Sequence, residues 1–192
     1  MLRICLILRL VAQDWLVGGV RADSARNRLL DVAATIVAQR GIDRFEINDL
    51  AARAHCSRAT VYRHVGGKQA IVETVLGVAS VHIVDTVREA VVSLHGPERA
   101  QVAIEVALRE IRADPVTSQF IRSGRFLEGT RLVLHSPVVA RIAAELIDLD
   151  PTDNVPAALA VRSVLALLIW PASTPELEIQ MIEELAVAVC RH

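Results

Sequence analysis

The spacing of apolar residues along the chain predicts helices rather than strands. The first predicted helix runs from Asp23 or Ser24 to Arg40, and Gly41 follows as the residue that ends it. Its buried face is a set of apolar residues that recur every three or four positions: Leu29, Leu30, Ala33, Ile36 and Val37.

Two short helices are expected next, over residues 47–54 and 58–65. In the first of these, Ile47, Leu50, Ala51 and Ala54 fall on one face. Ser57 is placed to cap the second, because its hydroxyl can accept a hydrogen bond from a free main-chain amide of the first turn.

The rest of the chain has the same helical periodicity, interrupted by proline. A long fourth helix is expected from Lys68 to about Leu94. Thr174 followed by Pro175 is a strong start signal for the last helix. The remaining helices are expected over 97–112, 115–134, 137–148, 154–170 and 175–190, which makes an all-α chain of about nine helices.

The composition indicates more apolar surface than one helical body of this size needs. Hydrophobic residues make up 53% of the 192 residues, the mean hydropathy is +0.40, and aromatic residues are only 3%. The apolar mass is therefore Ala, Val, Leu and Ile, and its excess favours an oligomer.

Charge divides the chain into a basic front and an acidic body. Residues 21–70 carry nine Lys/Arg against five Asp/Glu, net +4, whereas residues 71–192 carry ten against sixteen, net −6. A basic module on an acidic body indicates a polyanionic partner for the front of the protein.

The remaining compositional signals concern location. Cys5, Cys56 and Cys190 have neither disulfide nor zinc spacing, so a reducing cytoplasm and no metal or other cofactor are expected. Residues 1–20 are apolar but interrupted by Arg3 and Arg9, which argues against a secretory leader or a membrane span. They are expected to be either an extension or a segment upstream of the true start.

The stretch that carries chemistry is SRATVYRHVGGK, Ser57–Lys68. Two short helices joined by a tight turn, the second rich in hydrogen-bonding side chains, are typical of a helix-turn-helix. Such a recognition helix presents donors to base edges while its apolar face packs on the supporting helices.

Residues 24–72 resemble the DNA-binding domain of the TetR family of transcriptional regulators. The resemblance rests on five consecutive pieces with matching residue types and spacing: Gly41, Ile47–Ala51, Ala54–Ser57, Thr60–Val65 and Lys68–Ile71. It implies a DNA-binding domain over residues 21–70 and an effector-binding and dimerisation domain over residues 71–192.

The resemblance also implies roles for individual side chains. Tyr62, His64 and Lys68 would contact phosphates, and Arg26, near the start of the first helix, would reach the DNA backbone. The candidates for base edges are Arg58, Thr60 and Arg63, since arginine to guanine is the commonest specific pairing.

Three positions depart from the family pattern. His55 stands where a glycine is usual, in a turn that often needs a positive φ. Glu46 replaces the usual Ser or Thr cap of the second helix. Val65 and the pair Gly66-Gly67 replace a phenylalanine and a less flexible linker.

The C-terminal helices match the family in length and helical character alone. The resemblance implies a homodimer through the last two helices, and the nearly all-apolar Ala157–Trp170 suits a helix covered by a second copy. It also implies a small effector, and the sparse polarity of these helices favours an apolar one. The few side chains able to shape its pocket are His82, Phe120, Arg122, Phe126, His135 and Trp170.

Two other functional classes remain as alternatives. A protein of the same fold that has lost specific DNA recognition would act through ligand or protein contacts, and His55 with the glycine pair is what favours it. An all-helical enzyme is the other alternative, but the sequence contains no nucleophile elbow, phosphate loop, paired-carboxylate context or metal cluster. The leading hypothesis is a ligand-responsive repressor that binds a palindromic operator.

Overall fold

The computed structural model describes residues 20–150 and 154–191, and its regular elements in these ranges are all helices, which confirms the predicted all-α class. The expected extension over residues 1–20 lies outside them except for Val20. The described ranges contain the helices α1 (Val20–Arg40), α2 (Ile47–Arg53), α3 (Arg58–Val65), α4 (Lys68–Ala90), α5 (Gly96–Ala113), α6 (Pro115–Arg122), α7 (Phe126–Leu134), α8 (Pro137–Leu146), α9 (Asn154–Ile169) and α10 (Pro175–Val189).

Four polar caps bear out the start signals in the sequence. Ser57 Oγ accepts from the amide of Thr60, and Thr174 Oγ1 accepts from the amide of Leu177. Asp114 and Ser136 cap α6 and α8 in the same way, each followed by a proline at the first helical position.

The start of α1 differs from the expectation. The helix begins at Val20, so Ser24, one of the two predicted start positions, lies inside it. Arg21 and Ala22 are both strong helix formers, and a Ser or Asp in a first turn does not end a helix when the residues before it also favour one.

One helix predicted from the sequence is two helices in the structure. Residues 115–134 divide into α6 and α7 because Ser123 adopts an extended conformation with ψ 151°. Both its amide and its hydroxyl donate to the main-chain oxygen of Phe120, at 3.0 and 2.7 Å, and Gly124 follows with low helix propensity.

The C-terminal ends of α4 and α8 are also earlier than expected. α4 ends at Ala90 rather than Leu94, before the weak helix formers Val91-Val92-Ser93. The Arg99 guanidinium donates to the carbonyls that follow the end of α4, those of Val91 and Leu94. α8 ends at Leu146 because Asp148 takes a left-handed conformation with φ +57°.

The described residues form two compact units. The first comprises the described residues up to Val81 together with Asp114–Gly124, and the second comprises His82–Ala113 with the described residues from Arg125 onward. The first unit includes the start of α4, because Ile71, Val72 and Val75 are buried in its core.

The core of the first unit joins α1, α2, α3, the first half of α4 and α6. Phe45, Leu50 and Val61 are fully buried there. The core of the second unit contains Val87, Ala100 and Val189, from α4, α5 and α10.

α4 is apolar and long enough to cross a membrane by length and composition, with mean hydropathy 1.6 over one window. About 33% of that window is buried, and Ile71, Val75, Ile83 and Val87 contribute to the two cores.

Candidate nucleic-acid interface and apolar cavity

The turn between α2 and α3 is held by main-chain hydrogen bonds. The amide of His55 donates to Ala52 and that of Cys56 donates to Ala51, at 3.2 and 3.0 Å. His55 has φ +51°, as expected for a position where glycine is usual. Cys56 is partly buried against the core of the first unit.

α3 is fixed to the first unit by two valines one turn apart. Val61 is fully buried and Val65 is 6% exposed, and α3 packs on both α1 and α2. At the N-terminus Ser57 Oγ lies 3.1 Å from the amide of Thr60 and 3.0 Å from Thr60 Oγ1. The helix therefore has one anchored side and a capped, well-defined start.

Apart from the two valines, much of α3 is exposed and rich in hydrogen-bond donors. Arg58 and Arg63 are exposed, and Tyr62 is 49% exposed although its ring is apolar. At 100° per residue Arg63 lies nearly opposite Val61. The structure therefore places two guanidinium groups and a phenol on the surface of one short helix.

Arg26 has a partner that its sequence position did not indicate. Its Nη1 donates to the main-chain oxygen of His64 at 3.0 Å. That oxygen lies in the last turn of α3, where carbonyls lack partners within the helix and the helix dipole favours a cation. Arg26 therefore links α1 to the C-terminal end of α3.

The two glycines after α3 have different roles. Gly66 has φ +83° and ψ −160°, a region that essentially only glycine occupies. Gly67 takes no left-handed conformation, and a Cβ there would be at ordinary contact distance, 3.8 Å, from the Tyr62 ring. The sharp turn into α4 therefore depends on Gly66.

Lys68, at the start of α4, is held by two oxygen atoms of the α1–α2 region. Its Nζ lies 3.1 Å from the main-chain oxygen of Asp43 and 3.5 Å from Glu46 Oε1. Glu46 precedes α2 at the cap position but its side chain makes no capping hydrogen bond. The carboxylate that replaces the usual hydroxyl cap is paired with the ammonium group instead.

The six side chains predicted to shape an effector pocket are divided between the two units. Phe120 and Arg122 belong to the first unit, where Phe120 packs against the core. The other four belong to the second unit: His82, Phe126, His135 and Trp170. Of these, Phe126 is buried, whereas Trp170 is 71% exposed.

The second unit contains a cavity of about 210 Å³ that is lined by other residues. Every lining residue is Ala, Val, Leu or Ile, and they come from α4, α5, α7, α8 and α9. The sequence prediction relied on the few aromatic and polar side chains of the C-terminal helices. The cavity is instead lined by aliphatic residues, which in a sequence resemble those of any helical core. A periodic apolar face on each of these helices was the available signal.

Metal binding has no support in the described part of the chain, since no group of three or more His, Cys, Asp or Glu side chains in residues 20–150 and 154–191 is placed to hold an ion.

Comparison with known proteins agrees with this architecture. Residues 29–75 match the family model described as bacterial regulatory proteins, tetR family. An uncharacterised HTH-type transcriptional regulator of Mycobacterium tuberculosis strain H37Rv is 30% identical, over 92% of this chain and 90% of that protein.

Two solved structures show the same fold. A TetR-family transcriptional regulator from Pectobacterium atrosepticum has a TM-score of 0.64 and 19% identity, covering 90% of this chain and 93% of its own. The TetR-family repressor QsdR from R. erythropolis has a TM-score of 0.57 and 23% identity, covering 88% and 95%. The helix-turn-helix, the family match and the near full-length relative together establish that this chain belongs to the TetR family of transcriptional regulators.

Proposed function

We propose that this DNA-binding regulator acts as a homodimer on a palindromic operator, represses transcription there, and is released by a small apolar effector. The observation that carries the proposal is the exposed, donor-rich surface of α3 that remains when Val61 and Val65 anchor the helix. Two such helices would enter successive major grooves about 34–36 Å apart.

Each polar side chain of this region has a proposed task. Arg58, Thr60 and Arg63 read base edges, and Tyr62, His64 and Lys68 contact phosphates. Ser57 defines the start of α3 through its cap. Arg26 acts by holding the last turn of α3 through the carbonyl of His64.

Matched substitutions on α3 and α4 test these tasks. Arg63→Ala should change the preferred base at one operator position. Lys68→Ala should weaken binding to all sequences and reduce the salt slope by about one unit. Dissociation constants on the protein's own upstream DNA and on random duplex, across a salt series, distinguish the two.

The same titration tests the proposal as a whole. A protein that binds its upstream DNA no better than random duplex is not a regulator of that operator, and the ligand- or protein-binding alternative would then be favoured. Equal loss on every sequence for Arg63→Ala would show that Arg63 contacts only the backbone.

The proposed dimer uses α9 and α10. Both helices leave large apolar side chains exposed, among them Leu159, Leu177, Ile179 and Met181. A second copy of the chain would cover them by two-fold symmetry, as is usual in homodimers. Met181→Asp should shift the protein to monomer in sedimentation experiments, whereas Glu183→Ala on the same helix should not.

The proposed effector site is the aliphatic cavity of the second unit. An engineered apolar cavity of about 150 Å³ is known to bind benzene, so about 210 Å³ suffices for a small hydrocarbon. Benzene as a probe should raise the Tm and reduce operator affinity. Ala103→Leu, which fills the cavity from its wall, should abolish both responses.

The proposal also places the protein in the cytoplasm, where it can reach DNA. The long apolar α4 contributes to the two cores, because Ile71 and Val75 are buried in the first and Ile83 and Val87 in the second. Recovery of the protein in the soluble fraction with bound operator DNA tests this location.

A further inference from the structure

We propose that Glu46 is a built-in competitor of DNA for Lys68, and that it lowers affinity without changing sequence preference. The proposal rests on the proposed phosphate contact of Lys68. It concerns a residue at which this chain departs from the usual hydroxyl cap of α2.

The geometry places two acceptors around one ammonium group. Lys68 Nζ lies 3.5 Å from Glu46 Oε1 and 3.1 Å from the main-chain oxygen of Asp43. The Glu46 side chain is 65% exposed and that of Lys68 is 35% exposed. A phosphate oxygen can therefore approach Lys68 from solvent, but it meets an ammonium group already paired with a carboxylate.

Simple electrostatics gives the sign of the effect. A phosphate that contacts Lys68 must share or displace the Glu46 carboxylate, and it is repelled by that carboxylate in either case. Because the pair is exposed and screened by salt, the effect is modest and is largest at low ionic strength. A lysine contact to phosphate carries no base information, so the effect should be the same on every sequence.

The experiment compares wild type with Glu46→Gln on operator-containing upstream DNA and on random duplex of equal length, over a salt series. We expect the variant to bind both DNAs about two- to fivefold more tightly at low salt, with an unchanged ratio between them. In a Lys68→Met background the same substitution should give no gain. Glu46→Ser, which restores a capping hydroxyl, should show the same gain.

Asp31→Asn is the matched control, since it removes one exposed carboxylate from α1 of the same unit. A gain for Asp31→Asn equal to that for Glu46→Gln would overturn the proposal, because it would show only an effect of net charge. Unchanged or weaker binding by Glu46→Gln, or a full gain in the Lys68→Met background, would overturn it as well.

Failure of the proposed function gives a different result. Wild type would then show no preference for upstream DNA, while the effect of Glu46→Gln on random duplex would still be measurable. If Lys68→Met alone leaves binding to both DNAs unchanged, Lys68 does not contact phosphate and the competitor role fails with it.

Discussion

The two compact units differ in where their proposed functional residues lie, which is on the surface in the first unit and around a cavity in the second. In the first, the polar groups that define its task are exposed on α3, while apolar residues such as Val61 only anchor the helix. In the second, the apolar residues themselves line the cavity, and no polar side chain contributes to its wall. A binding surface made of donors is distinctive in sequence, whereas one made of Ala, Val, Leu and Ile resembles any helical core.

A second contrast lies between two helix ends, that of α3 in the first unit and that of α8 in the second. α3 ends before Gly66, whose turn geometry excludes other residues. The end of α8 is held by hydrogen bonds from the Arg99 side chain to the carbonyls of Glu145 and Leu146. Substitutions of Gly66 and of Arg99 should therefore destabilise the protein for different physical reasons.

The largest effect is expected at the glycine pair. Gly66→Ala should lower the free energy of unfolding by about 1–3 kcal/mol, because φ +83° with ψ −160° is strained for alanine and its Cβ would meet Ala70 Cβ at 3.2 Å. Gly67→Ala is the matched control and should change stability by no more than about 0.5 kcal/mol. Urea denaturation measures both, and equal losses would contradict the distinction between the two glycines.

The corresponding test in the second unit concerns Glu178. The Arg112 guanidinium donates to both carboxylate oxygens at 2.6 and 2.8 Å, and these hydrogen bonds hold the pKa of Glu178 below its ordinary value. Glu178→Gln should cost about 1–2 kcal/mol of unfolding free energy at neutral pH.

The pH dependence of this loss has a definite sign. Since the pKa of Glu178 is lower in the folded state, its stabilisation is fully present above the unfolded value of about 4.3 and disappears as the pH falls through the folded value. The difference between wild type and Glu178→Gln should therefore shrink in acid. A constant difference down to acid pH would contradict the ion-pair explanation, and Glu176→Gln on the same helix is the control.

A smaller effect is expected at Arg26. Arg26→Met should weaken operator binding about three- to tenfold by loosening the end of α3, with no change in the salt slope. Arg28→Met reports the cost of losing a charge from the same helix. If the salt slope falls by about one unit for Arg26→Met, Arg26 contacts the DNA backbone directly, as predicted from the sequence.

The smallest effects compare one residue in each unit. His55 and Asp148 are the non-glycine residues with positive φ in the described ranges, at +51° and +57°. Replacing either with glycine should raise the free energy of unfolding by about 0.5 kcal/mol, since relief of left-handed strain slightly exceeds the added chain entropy. Destabilisation by His55→Gly alone would show that the imidazole contributes more to the turn than its backbone costs.

The sequence by itself determined the local features of this protein. The helical class, the caps at Ser57 and Thr174, the positive φ at His55 and the helix-turn-helix follow from propensities and spacings over a few residues. These features also sufficed to indicate the family, because the recognition helix and its turn are contiguous in the chain.

Only the tertiary structure decided how distant residues are paired. It placed Lys68 beside Asp43 and Glu46, 25 and 22 positions away, and Arg26 on the carbonyl of His64, 38 positions away. It also gathered aliphatic stripes from five helices around one cavity. Local periodicity indicates which face of a helix is apolar, but the packing of the whole chain decides which other face it meets.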